Sequence, residues 1–146
     1  MKILKYEDGG KSAETLRAVS TPIESFENGF GELFNEMFNA LNETENGVAL
    51  ACPQVGVNKR AFVMNTPDHP WLIVINPEII SKKGEMKYEE GCLSFPNQHI
   101  EKTRCKRVRL RFQDVKGNFH KKLFNKFDAI VVQHEIDHLD GILFID

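Results

Sequence analysis

Asn125-Lys126-Phe127-Asp128-Ala129-Ile130-Val131-Val132-Gln133-His134-Glu135-Ile136-Asp137-His138-Leu139 is the stretch whose reading decides the fold. Phe127, Ile130, Val131, His134 and His138 recur at three- and four-residue steps, which predicts a helix with these side chains along one side. Asn125 is placed as its N-cap, and Gly141 ends it. Residues at i and i+4 share a helix face, so His134 and His138 can reach one metal ion with Glu135 beside them. Two imidazoles packed on a buried face would otherwise each need a polar partner. A zinc-type catalytic site takes three protein ligands and keeps one position open. Only Leu139 to Asp146 follow His138, without the downstream Glu or His that usually completes such a site. The third ligand therefore has to come from upstream.

Three cysteines are candidates. Cys92, in Glu90-Gly91-Cys92-Leu93-Ser94, is favoured because flanking Gly91 lets the backbone turn close to a metal. Cys105 sits in a strand-like run beside Lys106 and Arg107, where a small buried hydrophobe is the ordinary reading. Cys52 lies among small and apolar residues between Gly47 and Gly56.

Outward from the histidines, the middle of the chain reads as β-structure. Arg60 to Asn65, Trp71 to Ile80, Met86 to Phe95, Ile100 to Cys105, Arg107 to Asp114 and Phe119 to Phe124 are strand-like. Val115-Lys116-Gly117-Asn118 joins the last two as a hairpin. Earlier, Phe26, Phe30, Leu33, Phe34, Met37, Phe38 and Leu41 mark an amphipathic helix starting near Ser25, its expected N-cap, and stopped by Asn46-Gly47. Residues 1–24 read as an irregular polar lead-in. With no repeat, linker or low-complexity tract, residues 1–146 form one α+β domain. Its antiparallel strands pack around the helix that carries the histidines, with one N-terminal amphipathic helix.

Composition narrows the function classes. At 146 residues and 41% hydrophobic, the chain can bury one substantial core. Net charge is −2, which gives no general affinity for polyanions. Arg104, Lys106, Arg107, Arg109 and Arg111 form a local basic run. Val108, Leu110 and Phe112 alternate with the arginines, so the run is read as the solvated face of a strand rather than a nucleic-acid patch. Three irregularly spaced cysteines argue for a reducing compartment. No apolar run approaches membrane-spanning length, and the N-terminus does not read as a signal peptide. A soluble, cytoplasmic protein without membrane or direct nucleic-acid contacts is expected.

Three segments together resemble the signature motifs of the peptide deformylases. Gly47-Val48-Ala49-Leu50-Ala51-Cys52-Pro53-Gln54 is similar to the first, a Gly-x-Gly-x-Ala-Ala-x-Gln run. Glu90-Gly91-Cys92-Leu93-Ser94 matches the second, and Gln133 to Leu139 the third. Leu16-Arg17 through Pro22, the helix after it and Ile75-Asn76-Pro77 also fall where the family has similar sequence. The resemblance thus covers nearly the whole chain.

That resemblance implies one divalent metal held by Cys92, His134 and His138. Fe²⁺ is the native ion of the family, and Ni²⁺, Co²⁺ or Zn²⁺ can replace it. It implies Glu135 as acid/base, and the Gln54 side-chain amide with the Leu93 backbone N–H as oxyanion donors. The substrate would be the formyl-methionyl end of a nascent peptide near the ribosome. It would lie as an added strand along Gly47, Val48, Ala49 and Leu50, with its methionine in a pocket of Val48, Leu93, Ile130, Val131 and the His134 ring. Glu90 and Gly91 count with the substrate-binding loop, and Glu90 with Arg104 is expected to form a pair that steadies Cys92. Asp137, on another helix side, is read as structural. Gln54 on its own reads as a turn cap.

Three departures from the pattern stand out. Ala49 replaces the second glycine of the first motif, which adds a methyl where substrate approaches. Cys52 replaces an alanine and is expected to place an oxidisable thiol near the site. The sequence given lacks the further C-terminal helix of common bacterial members, an outline that resembles deformylases encoded by bacteriophages. A monomer in the cytoplasm of a bacterial or phage-infected cell is the corresponding expectation. Rival readings are a small HExxH metallopeptidase and a silent binding module that would lack Glu135 or Gln54.

Overall fold

Apolar residues run without interruption along the short strands at 49–51 and 61–64, so both of their faces are buried. The computed structural model describes residues 1–27 and 30–146. Its helices are α1 (Gly10–Arg17), α2 (Gly31–Asn42) and α3 (Phe127–Leu139). Its strands are β1 (Ala49–Ala51), β2 (Ala61–Met64), β3 (Leu72–Lys83), β4 (Met86–Cys92), β5 (Phe95–Arg104), β6 (Arg107–Gln113) and β7 (Phe119–Asn125). Five strands form an antiparallel sheet in the order β1-β2-β3-β6-β7, and β4 with β5 makes a separate hairpin. The expected α+β arrangement around α3 is the one found.

Period-two alternation divides the core. Ala49, Ala51, Phe62, Met64 and Val74 face α3, where they meet Val108, Leu110, Phe112 and Phe124 of β6 and β7. Leu50, Ala61, Val63 and Ile75 face the opposite way, against Phe34, Met37, Phe38 and Leu41 of α2. A third cluster of Leu16, Phe95, Leu143 and Phe144 closes the side near α1. β1 lies at the sheet's edge, hydrogen-bonded to β2 on one side only.

Several sequence expectations need correction. Residues 1–24 are not all irregular: Gly10–Arg17 is helical, and Leu16 alone among its residues is fully buried. So short a helix with a single buried residue leaves no apolar stripe to read. The next helix begins at Gly31 rather than Ser25, and Phe30 stands at the cap position without a side-chain cap. Positions 28 and 29 of the expected helix lie outside the described residues. Asn125 does not cap α3; Lys126 occupies that position at φ 54°, and the Asn125 side chain accepts from Arg107 Nε (3.2 Å). The second strand of the hairpin starts at Phe95 instead of Ile100.

Arg107 and Arg109 are exposed and Arg111 half-buried, while Val108, Leu110 and Phe112 are buried, as their alternation predicted. Arg104 does not belong to that solvated face. Its side chain is only 10% exposed and turns inward.

At the end of α3, Gly141 has φ 74° and donates to the His138 carbonyl (3.1 Å), while Ile142 donates to that of Asp137 (2.8 Å). This is a Schellman cap. A Cβ at Gly141 would collide with the Arg17 carbonyl, so only glycine fits there.

Candidate metal centre

α3 is buried on almost every side, and its polar residues are therefore held by particular partners. His134 and His138, one turn apart, present their rings 5.1 Å from each other. Opposite them, β4 carries a register shift between Gly91 and Cys92. The bulge re-aims the chain at its end. One donor atom each from Cys92, His134 and His138 then lie within 4.8 Å of one another. Cys92 Sγ is 3.3 Å from His138 Nε2. Among the described residues, this is the cluster of three or more His, Cys, Asp or Glu side chains able to hold a metal ion. Neither Cys52 nor Cys105 belongs to it.

The surrounding groups fit such an ion. His134 Nδ1 donates to Glu90 Oε1 (2.8 Å), which leaves Nε2 as its ligand atom. Glu90 in turn accepts from Arg104 Nε (2.7 Å) and Nη2 (2.9 Å), and Arg104 Nη1 reaches Asp137 Oδ2 (2.6 Å). Burial opposes the Glu90 charge, yet Arg104 and His134 outweigh it and lower its pKa to about 2. Burial also opposes charging His134, but the contacts with Cys92 and Glu90 raise its pKa to about 10. Burial keeps His138 neutral, far below the usual histidine range. Glu135 is 4% exposed, and burial lifts its pKa to about 7. Its Oε2 has no hydrogen-bond partner among the described residues. One thiol, two imidazoles and a neighbouring unpaired carboxyl are a donor set suited to a first-row divalent metal.

Gln54 caps the turn, as its own sequence reading expected. Its Oε1 accepts from the Ala51 N–H (2.9 Å), closing the turn after β1. Its Nε2 donates to Ser94 Oγ (3.2 Å) and lies 3.7 Å from Cys92 Sγ. The N-terminal segment ties the two loops together, Leu4 N–H donating to the Gln54 carbonyl (2.7 Å) and Tyr6 N–H to that of Ser94 (2.9 Å). Sequence reading missed this strap because backbone hydrogen bonds leave no residue signature.

A cleft of about 570 Å³ leads to the centre. Gly47, Val48 and Ala49 line one part, and Glu90, Gly91 and Leu93 another, with Gln54, Ile130, Val131, His134 and Glu135 also on its walls. Gly47 has no room for a side chain, since a Cβ would collide with Thr44 Oγ1 and come within 2.9 Å of Leu41 Cδ1. The Leu50 side chain is fully buried against α2 and does not line the cleft. One expectation fails here. Cys52 is likewise fully buried, 3.9 Å from Met37 Sδ, and burial pushes its thiol up to about 12. A thiol so protonated and enclosed is not an oxidation target. Tyr88, His99 and Phe127, which the sequence reading did not select for the cleft, also line it.

The polypeptide deformylase family model matches residues 1–146. The chain belongs to the peptide deformylase family. A peptide deformylase of Wolinella succinogenes is 42% identical over 138 residues, spanning 90% of this chain and 81% of its own length. The crystal structure of the peptide deformylase from Thermotoga maritima superposes with a TM-score of 0.90 at 36% identity, covering 99% of this chain and 95% of that one. The deformylase from the Vibrio parahaemolyticus bacteriophage VP16T, solved in complex with actinonin, gives 0.87 at 32% identity, covering 99% and 100%. This deformylase chain therefore carries the family fold around the cluster just described.

Proposed function

We propose that Cys92, His134 and His138 hold the metal of this deformylase, with Glu135 as its acid/base group and the cleft beside β1 as its substrate site. The chain is a metal-dependent hydrolase that removes the formyl group from N-formyl-methionine at the start of nascent polypeptides, releasing formate. The observation that carries the residue assignment is the convergence of the three donor atoms beside a cleft that Cys92, His134 and Glu135 line.

A divalent ion held there supplies Lewis acidity, polarising the formyl oxygen and lowering the pKa of water. Glu135 takes a proton from the attacking water on a carboxylate oxygen. It returns that proton to the amine nitrogen as the formyl C–N bond breaks, giving formate and a free N-terminus. Gln54 Nε2 and the Leu93 backbone N–H donate to the oxyanion that develops on the formyl oxygen. The free edge of β1 offers main-chain groups to an extended peptide, so Gly47, Val48 and Ala49 bind it as an added strand. Leu50 contributes main chain only. Val48, Leu93, Ile130, Val131 and the His134 ring enclose the methionine side chain, with Glu90 and Gly91 on the loop that completes the site. Arg104 holds Glu90, and Glu90 holds the tautomer of His134.

Iron is the metal proposed in the cell, as the family resemblance implies; the thiolate and two imidazoles suit zinc as well as iron. The enzyme would work as a monomer in the cytoplasm, close to the ribosome, where formylated N-termini emerge. Among the described residues, no helix is long and apolar enough to cross a membrane. A peptidase reading is disfavoured because the third donor at the centre is a thiol.

The test is formate release from a short formyl-Met peptide by protein purified without oxygen, with bound metal measured. Formate proportional to metal content is expected. A fully metal-loaded protein that releases none would overturn the assignment.

A further inference from the structure

We infer that Phe144 is a positioning residue for the metal centre, acting as a wall against the His134 ring. The inference rests on the metal-centre reading above. Glu90 fixes one atom of that ring through a single hydrogen bond, and the His138 ring packs 5.1 Å from it. Phe144 adds an apolar wall. Its ring lies 5.7 Å from that of His134, tilted by 53°, and 5.1 Å from that of Phe95. It is 3% exposed and is not among the residues lining the cleft. The cluster it joins also packs against Cys92, so two of the three ligand residues lean on it.

The segment that delivers Phe144 is built to stay in place. The Schellman cap at Gly141 reverses the chain off α3 and sends Leu143 and Phe144 back into the core. Asp146 Oδ2 accepts from the Leu143 N–H (2.9 Å), and Arg17 Nη1 grips both carboxylate oxygens of Asp146 (2.9 and 2.7 Å). Lys102 Nζ donates to the Phe144 carbonyl (3.1 Å). The Arg17–Asp146 pair is exposed and contributes little by itself. Burial of Leu143 and Phe144 anchors the segment, and the polar contacts set its register. Tyr6 completes the cluster, stacked on Phe95 and under the Arg17 guanidinium.

The experiment compares the Co²⁺-loaded parent protein with Phe144→Leu, Phe144→Ala and, as control, Phe34→Leu in the core over α2. Co²⁺ release to a chromophoric chelator, the visible spectrum of the bound ion, and kcat and KM are measured. Release should accelerate in the order parent, Phe144→Leu, Phe144→Ala, reaching on the order of tenfold, the scale of losing a group that orients a ligand. The Co²⁺ bands should shift, and kcat should fall with KM nearly unchanged. Phe34→Leu should lower the melting temperature without faster release. If Phe144→Ala fails to fold, Phe144→Leu decides alone. A release rate and spectrum equal to the parent's, or equal acceleration in Phe34→Leu, overturns the inference. A parent protein that binds no Co²⁺ overturns the metal centre itself, a separate and recognisable result.

Discussion

α2 and α3 press on opposite faces of the same short strands, yet they are built by opposite rules. α2 is amphipathic: Phe34, Met37, Phe38 and Leu41 are buried while Glu32, Asn35 and Glu36 face water. α3 has only Phe127 exposed, and it brings charged and polar groups into the interior. Four of those groups are met individually: Asp128 by Thr66 (2.8 Å), Gln133 by both backbone groups of Cys105, His134 by Glu90, and Asp137 by Arg104, while Glu135 Oε2 and His138 Nδ1 have no partner among the described residues. Volume and apolarity satisfy α2. α3 depends on named partners, because an unpaired buried polar group costs more than a typical hydrogen bond returns.

Substitutions can break or sharpen that contrast. The largest effect is expected from Glu135→Ala, which should keep its metal and lose at least about 10²- to 10⁴-fold in turnover, the usual contribution of an acid/base group. Metal analysis beside a formate assay checks it, and near-parent turnover would sink the role given to Glu135. Arg104→Ala leaves Glu90 buried without its cation. It should destabilise by about 3–5 kcal/mol and also weaken metal binding. Denaturant melts with and without metal would separate the two consequences. Phe34→Ala should cost a similar or slightly smaller amount, about 3–5 kcal/mol before relaxation of the cavity, but leave metal affinity of the folded protein as it was. If it weakened metal binding as Arg104→Ala does, the two helices would not be independent in the way described. Ala49→Gly should have the smallest effect, a change in KM of a few-fold with the metal untouched, since it removes one methyl worth about 0.8 kcal/mol. Steady-state kinetics on several formyl-Met peptides would expose an unchanged KM.

The same contrast explains what could be read beforehand. The apolar stripe of α2 was visible in its spacing, although its start was misplaced because Phe26 and Phe30 continue the aromatic pattern outside the helix. That Cys92, His134 and His138 would meet was legible because metal chemistry limits which residue types can serve and at what separation. Arg104 was legible only in part. Its pairing with Glu90 was expected from charge and the family resemblance, but its basic neighbours read as one solvated face, and the pairing of β4 with β5 is what turns it inward. The hold of Phe144 on His134 likewise depends on a chain reversal, and the N-terminal strap is made of backbone contacts that any residue could provide. Side chains that perform chemistry announce themselves by type, whereas those that position them are recognised by place.

The open edge of β1 has a further consequence, one of timing. A strand edge pairs only with a stretch of chain that is itself extended, and it cannot grip residues already committed to a helix or a packed core. An enzyme that recognises its substrate this way competes with the folding of that substrate. Proteins whose first residues become buried early give it a brief interval, and those whose N-terminus stays loose give it a long one. Which chains retain their formyl group would then be decided as much by the folding order of the newborn protein as by its sequence.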